Sequence, residues 1–134
     1  MNPAVRAHRI LKRIKVYTDL DGARSAPGLP EAGEGEALLG VYRNASGSAV
    51  LFTSVGIRID RGGGRWGDLV RYAELRSSQV MQKGAAHEVV LRTDDGSFVM
   101  VPIEEGSAPR FFDAFAVLRF FDRTISDLQE ERRP

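Results

Sequence analysis

Two alternating apolar runs, HEVVLRT (87–93) and SFVMVPI (97–103), flank Asp94-Asp95-Gly96. Alternation at a period of two marks strands that present one face inward, and Asp-Gly between such runs is among the strongest short-range hairpin signals. A chain with this feature must build antiparallel sheet, and the segments before it continue the theme. Residues 37–43 (ALLGVYR) predict a short strand, and Ser46-Gly47-Ser48 a turn. Residues 49–60 (AVLFTSVGIRID) predict one strand with Leu51, Val55, Ile57 and Ile59 on a common face and a bulge at Gly56. A hairpin loop at Asp60–Gly64 leads into a returning strand at 65–72 (RWGDLVRY).

Helices are expected at both ends. Residues 3–18 place Ala7, Ile10, Leu11, Ile14 and Tyr17 in one arc of roughly 120°, with Arg6, Arg9, Lys12, Arg13 and Lys15 on the other side. Pro3 suits the first turn, and Asp19–Gly22 predicts the stop. Residues 22–35 (GARSAPGLPEAGEG) carry no period and predict a linker. A long helix is expected from about Pro109 to Glu130, capped near Ser107 or Ala108. The resulting division is a basic amphipathic helix at 1–21, a linker at 22–35 and the main domain at 36–130. Strands followed by a closing helix make the fold class α+β.

Together these stretches resemble the bacterial PH-like (pleckstrin-homology-like) domain family. The resemblance rests on EGEALLGVYRN, AVLFTSVGIRID, RWGDLVRYAELRSSQV and VVLRTDDGSFVMVPI, followed by the long terminal helix, and covers about residues 31–130. It implies a partly open antiparallel β-barrel or sandwich capped by the C-terminal helix. The N-terminal helix is an addition to that pattern. It also implies a non-catalytic domain that binds proteins, peptides or lipids.

The residues themselves offer little to an enzyme. There is no cysteine, which excludes thiolate catalysis and Cys-based zinc sites and fits a reducing compartment. His8 sits among basic residues. His87 beside Glu88 is far short of the three or four converging ligands a metal needs. Gly62-Gly63-Gly64 is followed by Arg65-Trp66 rather than the Gly-Lys-Ser/Thr of a phosphate loop. Asp94-Asp95 and Glu104-Glu105 read as solvated turn charges, since neighbours on a strand point apart. Asp60 and Asp68 break up the arginines 58, 61, 65, 71 and 76, so these do not make a coherent phosphate pocket. No catalytic group, metal ligand or cofactor is assigned. With a net charge of +1 there is no bulk electrostatic case for nucleic acid, and specific nucleic-acid binding is not expected. The opening MNPAVRAHRILKRIKVY lacks the apolar block of a secretory signal, so the expected compartment is the cytoplasm.

The terminal helix holds the strongest candidate surface. In FFDAFAVLRFF (111–121) stand five of the seven phenylalanines. On a helical wheel Val117, Leu128, Phe121, Ala114, Ile125, Leu118, Phe111 and Phe115 span roughly 160° and predict the core stripe. Phe112 and Phe120 fall outside it, among Arg119 and Arg123. Aromatic and arginine residues in one patch are what protein interfaces enrich. The expected partner-binding residues are therefore Phe112, Phe120, Arg119 and Arg123, joined by Arg6, Arg9, Lys12 and Arg13 of the basic helix. The two rings are covered either by the N-terminal helix of the same chain or by another chain, a second copy included. A peripheral PH-like domain that binds lipid or anionic membrane, making weak anionic lipid contact, and a small inhibitor or immunity-type protein are the alternatives to an adaptor in a bacterial assembly.

Overall fold

Asn2 begins the first element. Its side-chain Oδ1 accepts from the Val5 N–H at 3.0 Å, and Pro3 takes the first helical position of α1 (Pro3–Ile10). The structure, a computed structural model, describes residues 2–83, 86–104 and 112–132. The helix is shorter than expected. It tightens into a 3-10 turn at Leu11–Arg13, Ile14 turns extended, and Tyr17 opens a strand, β1 (Tyr17–Ala23). Ala7, Leu11, Ile14 and Tyr17 nevertheless all point inward, as the arc requires. Asp19–Gly22, expected to stop a helix, is instead an irregularity inside β1. The Asp19 carboxylate accepts from the Asp21 N–H, and Asp21 and Gly22 adopt φ of 53° and 77°.

Strands β2 (Leu38–Arg43), β3 (Ala49–Thr53), β4 (Gly56–Asp60) and β5 (Val70–Arg71) follow β1 in one five-stranded antiparallel sheet, ordered as in the chain. A second, three-stranded antiparallel sheet holds β6 (Leu75–Lys83), β7 (Ala86–Thr93) and β8 (Phe98–Val101). Helix α2 (Phe112–Glu131) packs on the second sheet and on α1. The architecture is α+β, with two sheets that do not close on each other. The β7–β8 hairpin turns at Asp94-Asp95-Gly96 as expected, with Gly96 at φ 84°.

Two cores result. The main one joins Val50, Phe52 and Ile57 of the first sheet, Val89, Leu91 and Val101 of the second, and Leu11 and Ile14 near the N-terminus. Ala114, Val117, Phe120, Phe121 and Ile125 of α2 complete it. The second lies on the opposite face of the first sheet. There Leu38, Val41, Ala49 and Leu51 pack against Leu20, Ala26, Leu29, Ala32 and Trp66. Most of these partners come from the segment expected to be a linker. It is tied down by the Ala32 N–H to Arg24 carbonyl bond at 2.9 Å and by Gly33 N–H donating to Glu36 Oε1 at 2.7 Å.

This second core corrects the reading of 49–60. The segment is two strands, not one. Thr53 makes the reversal, its Oγ1 accepting from Gly56 N–H at 3.1 Å and donating to the Gly56 carbonyl at 3.0 Å. Leu51 and Ile57 therefore serve different cores. Gly56 marks a close approach rather than a bulge, since a Cβ there would stand 2.1 Å from the Val70 carbonyl oxygen. Of the expected returning strand at 65–72, only β5 and a single Asp60–Trp66 bridge pair with β4. The nine-residue β6 takes the place of the short polar turn that the resemblance implies after the 65–72 strand.

Helix α2 buries a different stripe from the one expected. Ala114, Val117, Phe120, Phe121, Thr124 and Ile125 face inward, and Phe115 is 54% exposed. The buried arc is centred well to one side of the expected one, rotated by roughly 70°. Phe111 and the expected cap lie outside the described residues.

Candidate functional site

Phe120 is the plainest correction. It is fully buried, edge-on to Phe52 at 5.3 Å, Tyr72 at 5.7 Å and Phe121 at 5.4 Å between ring centroids. What covers it is the first sheet and the 3-10 turn at Tyr72–Glu74, and it is closed to any partner. Phe112 opens α2, and its side chain lies outside those described. Among the described side chains of α2, the large ring left on the surface is Phe115. Arg119 stands one turn on, and Arg119 and Arg123 are both exposed, so the solvent face of α2 carries Phe115, Arg119 and Arg123 in a row. Asp122 at its margin is anchored by the Ser78 hydroxyl of β6.

Arg6 is committed elsewhere. Its Nε and Nη2 donate to Asp127 Oδ2 and Oδ1 at 2.8 and 2.9 Å, a two-point clamp between α1 and α2. The side chains are only 20% and 11% exposed. Hydrogen bonds from Arg6 hold the Asp127 carboxyl below its usual range against the opposing effect of burial, and the charges of Arg6 and Arg123 add to the lowering. Because Asn2 and Pro3 adjoin Thr124, Asp127 and Leu128, α1 runs antiparallel to α2. Arg9 and Arg13 are exposed further along this segment, while Lys12 lines a cleft with Tyr17, Asp19 and Asp21 that no α2 residue shares. Of the expected partner-binding residues, Arg9, Lys12, Arg13, Arg119 and Arg123 are exposed, Arg6 is engaged with Asp127 and Phe120 is buried.

The arginines of the central hairpin do not converge. Arg58 donates to the Gly67 carbonyl, Arg61 to the Met100 carbonyl, and Arg76 pairs with Asp94. Two clefts flank α1. One of about 330 Å³ lies between its first turn, Val55, Tyr72 and the last turns of α2. Thr124 lines it, and the Thr124 hydroxyl is buried without a hydrogen-bond partner. The other, about 240 Å³, has His8 and Lys12 on one wall and Tyr17, Asp19 and Asp21 on the other. Burial pushes the Tyr17 phenol well above its usual range, so it stays neutral and cannot act as a base near neutral pH. Among the described residues no three His, Asp or Glu side chains gather in a group suited to a metal ion, and no helix is long and apolar enough to cross a membrane.

The second sheet offers a surface that the sequence reading passed over. Its inner face holds Val80, Val89, Leu91, Val99 and Val101. Its outer face sets Met81 beside Glu88, Val90 beside Met100, and Arg92 beside Phe98. Phe98 is 62% exposed and Met81 39%. Apolar residues on both faces of β7, with Val89 and Val90 adjacent, were the available signal. No known protein family, curated protein or solved structure matches the chain.

Proposed function

We propose that this chain is a PH-like, non-catalytic protein-binding module of a bacterial cytoplasmic assembly. It docks its partner on the outer face of α2, with the exposed Arg9 and Arg13 of the N-terminal segment contributing. The observation that carries this reading is Phe115: a large ring exposed in the first turn of α2, with Arg119 and Arg123 on the same face. Exposed aromatics beside arginine are the residues that supply most binding energy at protein interfaces. The matching partner offers an apolar pocket rimmed by carboxylates. Two antiparallel sheets and a long C-terminal helix support the PH-like reading at the level of architecture.

The test compares proteins captured from the native source by the wild type and by Phe115→Asp/Arg119→Glu. Both positions are exposed, so the double variant should fold like the parent, which circular dichroism checks. A stoichiometric partner held by the wild type and lost by the variant is the expected result. Identical capture by both would remove this reading. Flotation with anionic vesicles that depends on Lys12 and Arg13 would replace it with a lipid-binding one.

A further inference from the structure

We infer that the outer face of the second sheet is a self-association surface, closing a two-fold dimer of this chain. The inference concerns a different surface from the α2 face and does not depend on it. Three rows of side chains stand on this face: Ser77, Arg92 and Phe98; Gln79, Val90 and Met100; Met81 and Glu88. Exposed apolar groups lie at both ends, Phe98 and Met81. Among the described side chains of this face the charged groups are Glu88 and Arg92, opposite in sign and each two residues from Val90 along β7.

These two do not pair within one chain, where no ion pair joins them. Four residues of strand separate their backbones by about 13 Å. The Arg92 side chain makes no ion pair or hydrogen bond among the described residues. Glu88 is half-buried, with one carboxylate oxygen closed off inside its own chain, so a second copy meets the rest of the carboxylate. Now take a two-fold axis lying between two such faces and running across the strands through Val90 and Met100. It sets Arg92 of each copy over Glu88 of the other, twice, and brings the half-buried Met100 against its counterpart, above a Val90 already covered within its own chain. Facing sheets stand about 10 Å apart, a gap that an arginine and a glutamate together span. The pattern is thus complementary to itself, as an isologous interface requires. A net charge of +1 leaves little long-range repulsion between copies.

Sedimentation equilibrium from low to high micromolar concentration reads the association directly. The wild type should dimerise. Arg92→Glu, which sets carboxylate over carboxylate, should weaken the dimer by roughly tenfold or more. Mixing Arg92→Glu with Glu88→Arg should restore a heterodimer, and Arg92→Glu/Glu88→Arg a homodimer. Phe98→Asp, at an exposed position, should also dissociate it, whereas Phe115→Asp should not. Circular dichroism confirms that each variant is folded. If Glu88→Arg does not fold, the Arg92→Glu and Phe98→Asp results decide. A wild type that stays monomeric, or Arg92→Glu and Phe98→Asp variants that dimerise like the parent, would overturn the inference.

Discussion

Replacing Phe120 with alanine should cost far more than the same change at Phe115, though the sequence pattern favours the opposite order. Phe120 is fully buried and touches three other rings edge-on or nearly so. Truncating such a residue removes its transfer free energy and leaves a cavity that the surrounding rings cannot close, at a cost of about 3–5 kcal/mol. Domains of this size are stable by only about 5–15 kcal/mol, so the loss approaches the whole margin. Phe115 keeps 54% of its surface in water. Its removal forfeits only partial burial, and the expected cost is within about 1 kcal/mol. Urea unfolding followed by helical circular dichroism and by Trp66 fluorescence separates the two. With a slope of about 1.5 kcal/mol/M, a loss of about 4 kcal/mol moves the midpoint by roughly 2.5 M, and a loss under 1 kcal/mol by well under 1 M. Equal shifts for the two variants, or a larger one for Phe115→Ala, would refute the packing described for α2.

Arg6→Gln should destabilise the domain by about 1–3 kcal/mol at neutral pH, since a charge-assisted pair between α1 and α2 is lost. The folded Asp127 carboxyl titrates below its unfolded counterpart, so the wild-type advantage holds above about pH 4 and shrinks as acid protonates Asp127, which a set of melts at stepped pH reads. Thr124→Val replaces a buried hydroxyl that has no partner with a methyl of similar size, and should raise the melting temperature by an amount equivalent to up to about 1 kcal/mol. Gly56→Ala drives a Cβ to 2.1 Å from the Val70 carbonyl oxygen, so β4 and β5 must part, at about 1–3 kcal/mol by urea titration.

The elements that announce themselves locally were legible. The Asp-Gly hairpin was found because turn chemistry and alternation agree over consecutive residues. The terminal helix was found because its apolar period persists for several turns. The failures share one cause, which is that a second layer decides burial. Apolar residues cover more of α2 than one packing interface can hide, so the wheel alone could not choose between the flank with Phe115 and Leu118 and the flank with Phe120 and Thr124. The sheets and the 3-10 turn bearing Tyr72 made that choice. Leu51 was assigned to the same face as Ile57 because the Thr53 reversal leaves little trace in the pattern, and because the Gly/Pro-rich segment was not recognised as a cover for the other face of the sheet. Strand β6 (LRSSQVMQK) is mostly polar and owes its conformation to pairing with β7. Of the candidate surface, the basic residues and the two α2 arginines were readable from charge. Which ring stood beside them was not, since that depends on the same rotation of the helix.

A photo-crosslinking phenylalanine analogue at position 115, installed in the native cell, asks most simply whether the α2 face binds protein. The proposed docking mode predicts one discrete protein adduct from position 115, lost when Arg119→Glu and Arg123→Glu are added, with no such adduct from an exposed control site such as Arg76. No protein adduct from 115, or one indifferent to both arginines, would contradict it.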